Sequence, residues 1–331
     1  MTNANGVTRG AEHLACARVA GKRAASGAFR IIPGLAPTEP AALHEKVAEL
    51  LDLVRLERIE DTIFRGQSRD IGTKFVFGGQ VLGQALSAAQ RTVDRARIVH
   101  SMHAYFLRAG DIEHPIVYLV DQTRDGGSFS ARRVTAMQHG QPIFVASASF
   151  HLPESGPTHQ LSPPQVPMPE DLPEGTNLST EELARLPAKV QRWLSKRDAF
   201  EFRHVYPRNE LYPTKQPPYQ QIWFRLADRI DDDPALHHAL LAYASDFHLI
   251  GTSTLPHAIS YLQPNVRMAS LDHALWFHRP LRVDEWLLYS CDSPSMHDSR
   301  GLARGSIYTR DGVLVASSAQ EGMVRVSPDE R

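Results

Sequence analysis

The chain repeats itself, and this constrains its fold more than any other feature. HAYFLRAG at His103 to Gly110 matches ALWFHRPL at Ala274 to Leu281 when Arg108 is set on Arg279. QPIFVASASF, ending at Phe150, matches DGVLVASSAQ, ending at Gln320. Around these matches each half has the same order: an extended piece, one long apolar helix, then several strands rich in aromatic and β-branched residues. Shared order alone could be chance, but shared sequence inside two of the elements argues for duplication. At 331 residues the chain is long enough for two modest domains.

An antiparallel sheet curved around one helix is the hot-dog arrangement. Two tandem copies predict an α+β double hot-dog whose sheets join at the centre. Residues 1–38 read as a flexible tail, rich in Ala, Gly and Arg with one acid, Glu12. That bias resembles a transit peptide but lacks a secretory apolar run, and a disordered extension is the preferred reading. The first repeat, 39–152, opens with Thr38 as N-cap and Pro40 just inside a helix carrying Leu43, Val47, Leu50, Leu51 and Val54. Gly78-Gly79 starts a second helix, within Phe75 to Arg91, whose Gly83 and Ala85 permit close packing. Residues 153–198 form a linker, Pro-rich from Pro153 to Pro173 and followed by a short helix over Thr180 to Ser195. The second repeat, 199–331, contains Arg310-Asp311-Gly312 as a hairpin turn.

Pro234 to Gly251 reads as the central helix of the second repeat. Asp231 to Asp233 precede it and Pro234 takes the first helical position, where a proline loses no hydrogen bond. Leu236, Leu240, Tyr243, Phe247 and Ile250 make an apolar stripe, with Asp246 near its edge. A carboxylate there is either a surface-edge acid paired with an Arg or a backbone N–H, or a general base in a half-buried pocket.

Composition narrows the functions. A net charge of -1 leaves no broad basic footprint for nucleic acid. No apolar run approaches a membrane span. Two isolated cysteines, Cys16 and Cys291, suit a reducing, cytoplasmic setting. No Cys/His group has zinc-ligand spacing and no phosphate-binding glycine loop is present, so neither metal nor cofactor is expected.

The chain resembles the acyl-CoA thioesterase II family from about residue 45 to 326. The resemblance rests on FRGQS at 64–68, FGGQVLGQAL at 77–86, HSMHAYFLRAGD at 100–111, RDGGSFSARRV at 124–134, YASD at 243–246, LDHALWFHRP at 271–280 and DGVLVASSAQEG at 311–322. It implies hydrolysis of fatty acyl-CoA by a catalytic group of Asp246, Ser270 and Gln320, with Ser where bacterial relatives carry Thr. Asp246 would orient or deprotonate a water, and the Ser270 hydroxyl and Gln320 amide would hold it. Gly78, Gly79 and Gln80, with Arg108, Arg132 or Arg133, are candidates for coenzyme A, and Tyr243, Phe247 and Trp276 for the acyl chain. A homodimer or homotetramer is implied, since hot-dog units bury sheet edges by pairing. The first repeat places Phe150, Val99 or His100, and Gln84 near the positions of the trio, so it reads as scaffold. Asp272 and His273, adjacent on a strand, read as structural. His248, about 160° around the helix from Asp246, is not expected to form a dyad with it. The competing readings are a hot-dog hydratase and an acyl-CoA-binding sensor without turnover.

Overall fold

The computed structural model describes residues 44–173, 180–186 and 199–328. The expected Thr38 N-cap and Pro40 lie outside them, as does the tail. The first described helix, α1 (Glu45–Val54), starts later than the spacing suggests and is capped by His44. Next come β1 (Glu57–Glu60), β2 (Ile63–Gly66), α2 (Gly78–Gln90), β3 (Ile98–Phe106), β4 (Ile116–Asp125), β5 (Phe129–Gln138) and β6 (Gln141–His151). After α3 (Thr180–Ala184) the second half holds β7 (Phe200–His204), β8 (Tyr219–Leu226), α4 (Pro234–Ser245), α5 (Leu249–Thr252), β9 (Val266–Ser270) and β10 (Asp272–Phe277). It ends with β11 (Leu287–His297), β12 (Arg300–Thr309) and β13 (Leu314–Val326). Of the short helix expected over Thr180 to Ser195, α3 is the described part.

One antiparallel sheet runs β1-β2-β4-β5-β6-β3-β10-β13-β12-β11-β8-β7, with β9 paired to β13. The halves meet where β3 pairs with β10, Asp272 opposite Tyr105 and Trp276 opposite Ser101. The repeat alignment makes Tyr105 the counterpart of Trp276, and Ser101 that of Asp272. Exchanging the repeats therefore maps this ladder onto itself about the pair His103 and Ala274. Farther along, Phe144 lies opposite Phe106 and Ala316 opposite Phe277. The ladder thus sets Ala148 against Gln320, two residues short of the Phe150 that sequence matching suggests.

The sheet wraps around α2 and α4, which pack on each other. A Cβ on Gly79 would collide with the Tyr243 carbonyl oxygen, and one on Gly83 would lie 2.9 Å from that of Ala239. Asp233 caps α4, accepting from the Ala235 N–H at 3.0 Å, and Pro234 sits at its first turn. From His237 onward every residue of α4 is buried, so the expected apolar stripe is an apolar helix without a wet face. The helix also stops early. Ser245 is its last residue and Asp246 its C-cap, His248 takes a left-handed φ of 64°, and α5 is a separate turn.

The Pro-rich stretch does more than connect the halves. It packs on the outer face of the second half, beside Val205, Trp223, Trp286, Leu288 and Tyr308, to which Val166 and Leu172 add. The Trp223 indole N–H donates to the Pro167 carbonyl at 2.9 Å, and Gln160 bonds the Gly312 carbonyl and the Leu314 N–H. Among the described residues no helix is long and apolar enough to cross a membrane.

Candidate active site

Asp246 owes its position to the end of α4. It is buried, at 8 % exposure, and faces the start of α2 across the helix pair. The first N–H groups of a helix have no partner within it and carry the positive end of its dipole. Here the Gly79 N–H bonds the Asp246 carboxylate. A Cβ on Gly78 would stand 2.7 Å from Oδ2, so the missing side chain admits the carboxylate.

The sheet supplies the other groups. Gln320 lies on the inward face of β13, fully buried, and Ser270 ends β9 opposite Gly322. The Gln320 Nε2 lies 2.6 Å from Asp246 Oδ1, 3.0 Å from Ser270 Oγ and 3.2 Å from His273 Nδ1. Gln320 Oε1 is buried without a partner among the described residues. Asp246, Ser270 and Gln320, 74 residues apart at the extremes, thus form one cluster.

Burial pushes the Asp246 carboxyl up to about 6, and hydrogen bonds from Gln320, Gly79 and Ser270 offset part of that rise. A base in that range is mostly ionised at neutral pH yet takes a proton more readily than an ordinary carboxylate, a useful combination for proton transfer at physiological pH.

His273 corrects the sequence reading, which left it structural. Alternation on β10 puts the two side chains on opposite faces, His273 inward and Asp272 outward, and inward is the site. Its Nδ1 meets Gln320 Nε2, and its Nε2 lies 2.9 Å from Ser245 Oγ, whose hydroxyl donates to the Ala242 carbonyl. The tautomer follows: Nε2–H donates to Ser245 and bare Nδ1 accepts from Gln320. Burial holds the imidazole near 3, so it is neutral, and its 3.9 Å approach to Asp246 is not an ion pair. His273 thereby fixes which way the Gln320 amide faces. The inward alternation of His273 with Leu275 and Phe277 was the available sequence signal.

The same alternation removes Trp276. It lies on the opposite face of the sheet from His273 and packs edge-on to His103, with centroids 5.1 Å apart, so it does not line the pocket. Tyr243 and Phe247 do stand beside Asp246. Phe77 joins them, 5.3 Å from Tyr243 and 4.5 Å from Phe247, and Phe202 lies 5.2 Å from Phe247. Sequence reasoning did not single out Phe77 and Phe202, because nothing local brings them to α4.

Gln80 is a brace: its Oε1 accepts from the Arg69 N–H and its Nε2 donates to the Gln67 carbonyl. Arg132 is buried and committed to Asp125 and Thr92, while Arg108 bonds the Pro142 carbonyl. His248 lies beyond the helix and packs on Phe202 and His204, which gives a different reason for its absence from the cluster. In the first half Gln84 is fully bonded, to Tyr118, Leu53 and Gln67, and Val99 and Phe150 are buried hydrocarbon. The buried Tyr118 on β4 and Tyr289 on β11 each bond their own central helix, Tyr289 through the Ser245 carbonyl. The halves therefore share a scaffold, and among the described residues only the second carries this cluster.

Comparison with known proteins also finds two matched parts in the chain. Residues 194–323 match a family model described as acyl-CoA thioesterase, and residues 65–151 one described as acyl-CoA thioesterase N-terminal domain. Acyl-CoA thioesterase 2 of Haemophilus influenzae is 42% identical over 278 residues, covering 84% of this chain and 97% of that protein. The crystal structure of an acyl-CoA thioesterase II, TesB2, from Mycobacterium marinum superposes with a TM-score of 0.69 at 42% identity, covering 85% of this chain and 99% of that one. A hot-dog protein of unknown function from Alicyclobacillus acidocaldarius, 20% identical, shares the fold alone, with a TM-score of 0.66 over 84% of this chain and 98% of that one. With both halves matched and the likeness running through nearly the whole length of its relatives, this chain belongs to the acyl-CoA thioesterase family.

Proposed function

We propose that this chain hydrolyses fatty acyl-CoA to fatty acid and coenzyme A by direct attack of water. The carrying observation is the buried Asp246 carboxylate, raised to about 6 and bonded to a Gln320 amide whose own oxygen is left without a partner. In this reading Gln320 Oε1 accepts a hydrogen bond from one O–H of the attacking water, which that oxygen keeps, and Asp246 takes the other proton as the water oxygen bonds the thioester carbon. The charge that develops on the carbonyl oxygen falls at the start of α2, where the Gly78 N–H is the candidate donor. The tetrahedral intermediate collapses with C–S cleavage, and Asp246 returns its proton to the departing thiolate. Ser270 holds the carboxylate and the amide in register. Tyr243, Phe247 and Phe77 form the apolar wall for the acyl chain.

The hydratase alternative needs a His acting as acid or base beside Asp246. His273 is the near candidate, yet both its nitrogens are engaged and it stays neutral. The reading extends to a cytoplasmic homo-oligomer, with the outer face of the central strand β3, where Tyr105 stands 61% exposed, as the candidate seam. Sedimentation at several concentrations tests the assembly.

Thiol release from short to long acyl-CoA esters tests the chemistry. Asp246→Asn and Gln320→Ala should each cut turnover by about a hundredfold or more with the fold retained. Near wild-type rates in either folded variant would remove that residue from the mechanism. Acyl-CoA binding without release by the wild type would favour the sensor.

A further inference from the structure

A second cluster lies on the first half, outside the catalytic group. Asp111 and His114 sit in the loop before β4, and His139 sits in the two-residue turn joining β5 to β6. His139 and Gly140 have φ of 49° and 72°, the left-handed pair that such a tight hairpin turn requires. Asn, Asp or Gly is the usual first residue there, and histidine is one of the few other side chains that tolerate the left-handed region. Its imidazole Nε2 reaches Asp111 Oδ2 at 3.0 Å, and the His114 Nδ1 reaches the same oxygen at 2.9 Å. The two rings stand 4.6 Å apart, and the three candidate donor atoms all lie within 4.8 Å of one another.

The support beneath them is rigid. Gln138 is buried at 5 % exposure, accepts from the Asp111 N–H, and donates to the carbonyls of Asp111 and His114. Ser68 Oγ also donates to the His114 carbonyl, and the other Asp111 oxygen accepts from the Glu113 N–H. Only Oδ2 and the two imidazoles are left to respond to a ligand.

We propose that Asp111 Oδ2, His114 Nδ1 and His139 Nε2 form a surface site for a zinc-type divalent transition ion. Tetrahedral zinc with ordinary bond lengths holds its donor atoms about 3.3 Å apart. The two oxygen-to-nitrogen distances here are within a few tenths of an ångström of that. Two imidazoles and one carboxylate disfavour Ca²⁺ and Mg²⁺, which prefer all-oxygen shells. Binding requires each ligating nitrogen to be bare, so both rings move their N–H to the far nitrogen, with solvent carrying the proton. The fourth position is open to solvent. The site is independent of the thioesterase reading, and sequence spacing cannot show it because His139 joins from 28 residues away.

Zn²⁺ titration of the tag-free, metal-stripped full chain by calorimetry tests the proposal, with Co²⁺ absorbance as a measure of geometry. His114→Ala, His139→Ala and a His13→Ala/Cys16→Ser control are compared, each with its metal-free melting temperature. The wild type should bind about one equivalent with micromolar affinity or better. Either single His variant should weaken binding by more than about tenfold, the scale that even outer partners of metal ligands command. The tail control should bind like the wild type. Absence of micromolar binding, binding that survives both His variants, or binding lost in the tail control would each overturn the proposal.

Discussion

Asp246 carries a cost that its setting makes measurable. Its folded pKa, about 6, lies above the ordinary carboxylate value of 3.8, so the fold favours the protonated form. That contribution to stability is complete below pH 3.8 and is lost as the pH rises through 6. At pH 8 the ionised group therefore costs about 3 kcal/mol relative to an unshifted carboxylate. Asp246→Asn should melt higher than the wild type at pH 8 and lose that advantage at pH 4, while hydrolysis stays about a hundredfold or more below the wild type. A variant no more stable at pH 8 would show that the carboxylate's hydrogen bonds outweigh its burial. In the wild type, turnover should climb through pH 6 to a plateau as Asp246 ionises. His273 should act by position alone. His273→Ala deprives Gln320 of an acceptor, so kcat should fall about tenfold with little change in KM. His273→Asn, which returns an acceptor oxygen, should recover much of the loss. The rise of the pH profile near 6 should stay in place in both variants, since His273 titrates far below it; a displaced limb would make it part of the titrating machinery.

At the scale of elements, the site is where one helix ends and another begins. The last turn of α4 presents Asp246 and the first turn of α2 receives it, an arrangement that needs the two backbones in contact. Gly79 makes that approach possible. Gly79→Ala forces a methyl into the Tyr243 carbonyl, which as helix backbone cannot easily yield, and into the edge of the Phe77 ring. It should cost about 3 kcal/mol in urea unfolding, the upper range for overpacking, and lower turnover by displacing the N–H that holds Asp246. Unchanged stability would mean that the helices slide apart freely. Gly83→Ala, with a gentler clash against Ala239, should cost less.

At the scale of the molecule, the duplication has divided its labour. The seam of β3 with β10 preserves the symmetry of the repeat, yet Asp246, Ser270, His273 and Gln320 all belong to the second half. The first half contributes Gly79, Gly78 and Phe77, without which the carboxylate would lack its backbone donor and part of its apolar wall. Residues 199–331 produced alone should therefore release no thiol from acyl-CoA, and co-expression with residues 1–198 should restore release. Activity in the isolated second half would make the first dispensable to the site.

The sequence by itself determined the repeat, the α+β architecture, the order of nearly all the strands, and the helix start at Asp233 and Pro234. Each is written in neighbouring residues, as periodicity, capping or turn chemistry. The residues Asp246, Ser270 and Gln320 were legible through their place in a recognisable family pattern, since singly each reads as an ordinary surface or strand residue. The early end of α4 was decided by tertiary structure, because the apolar spacing runs on through Ile250 while the chain turns at His248 to bring α5 under the sheet. The meeting of His273 with Gln320, the arrival of Phe77 and Phe202, and the meeting of His139 with Asp111 were likewise settled by packing. Contacts between residues far apart in sequence leave no local period. They exist only once a sheet has wrapped around two helices and excluded water between them.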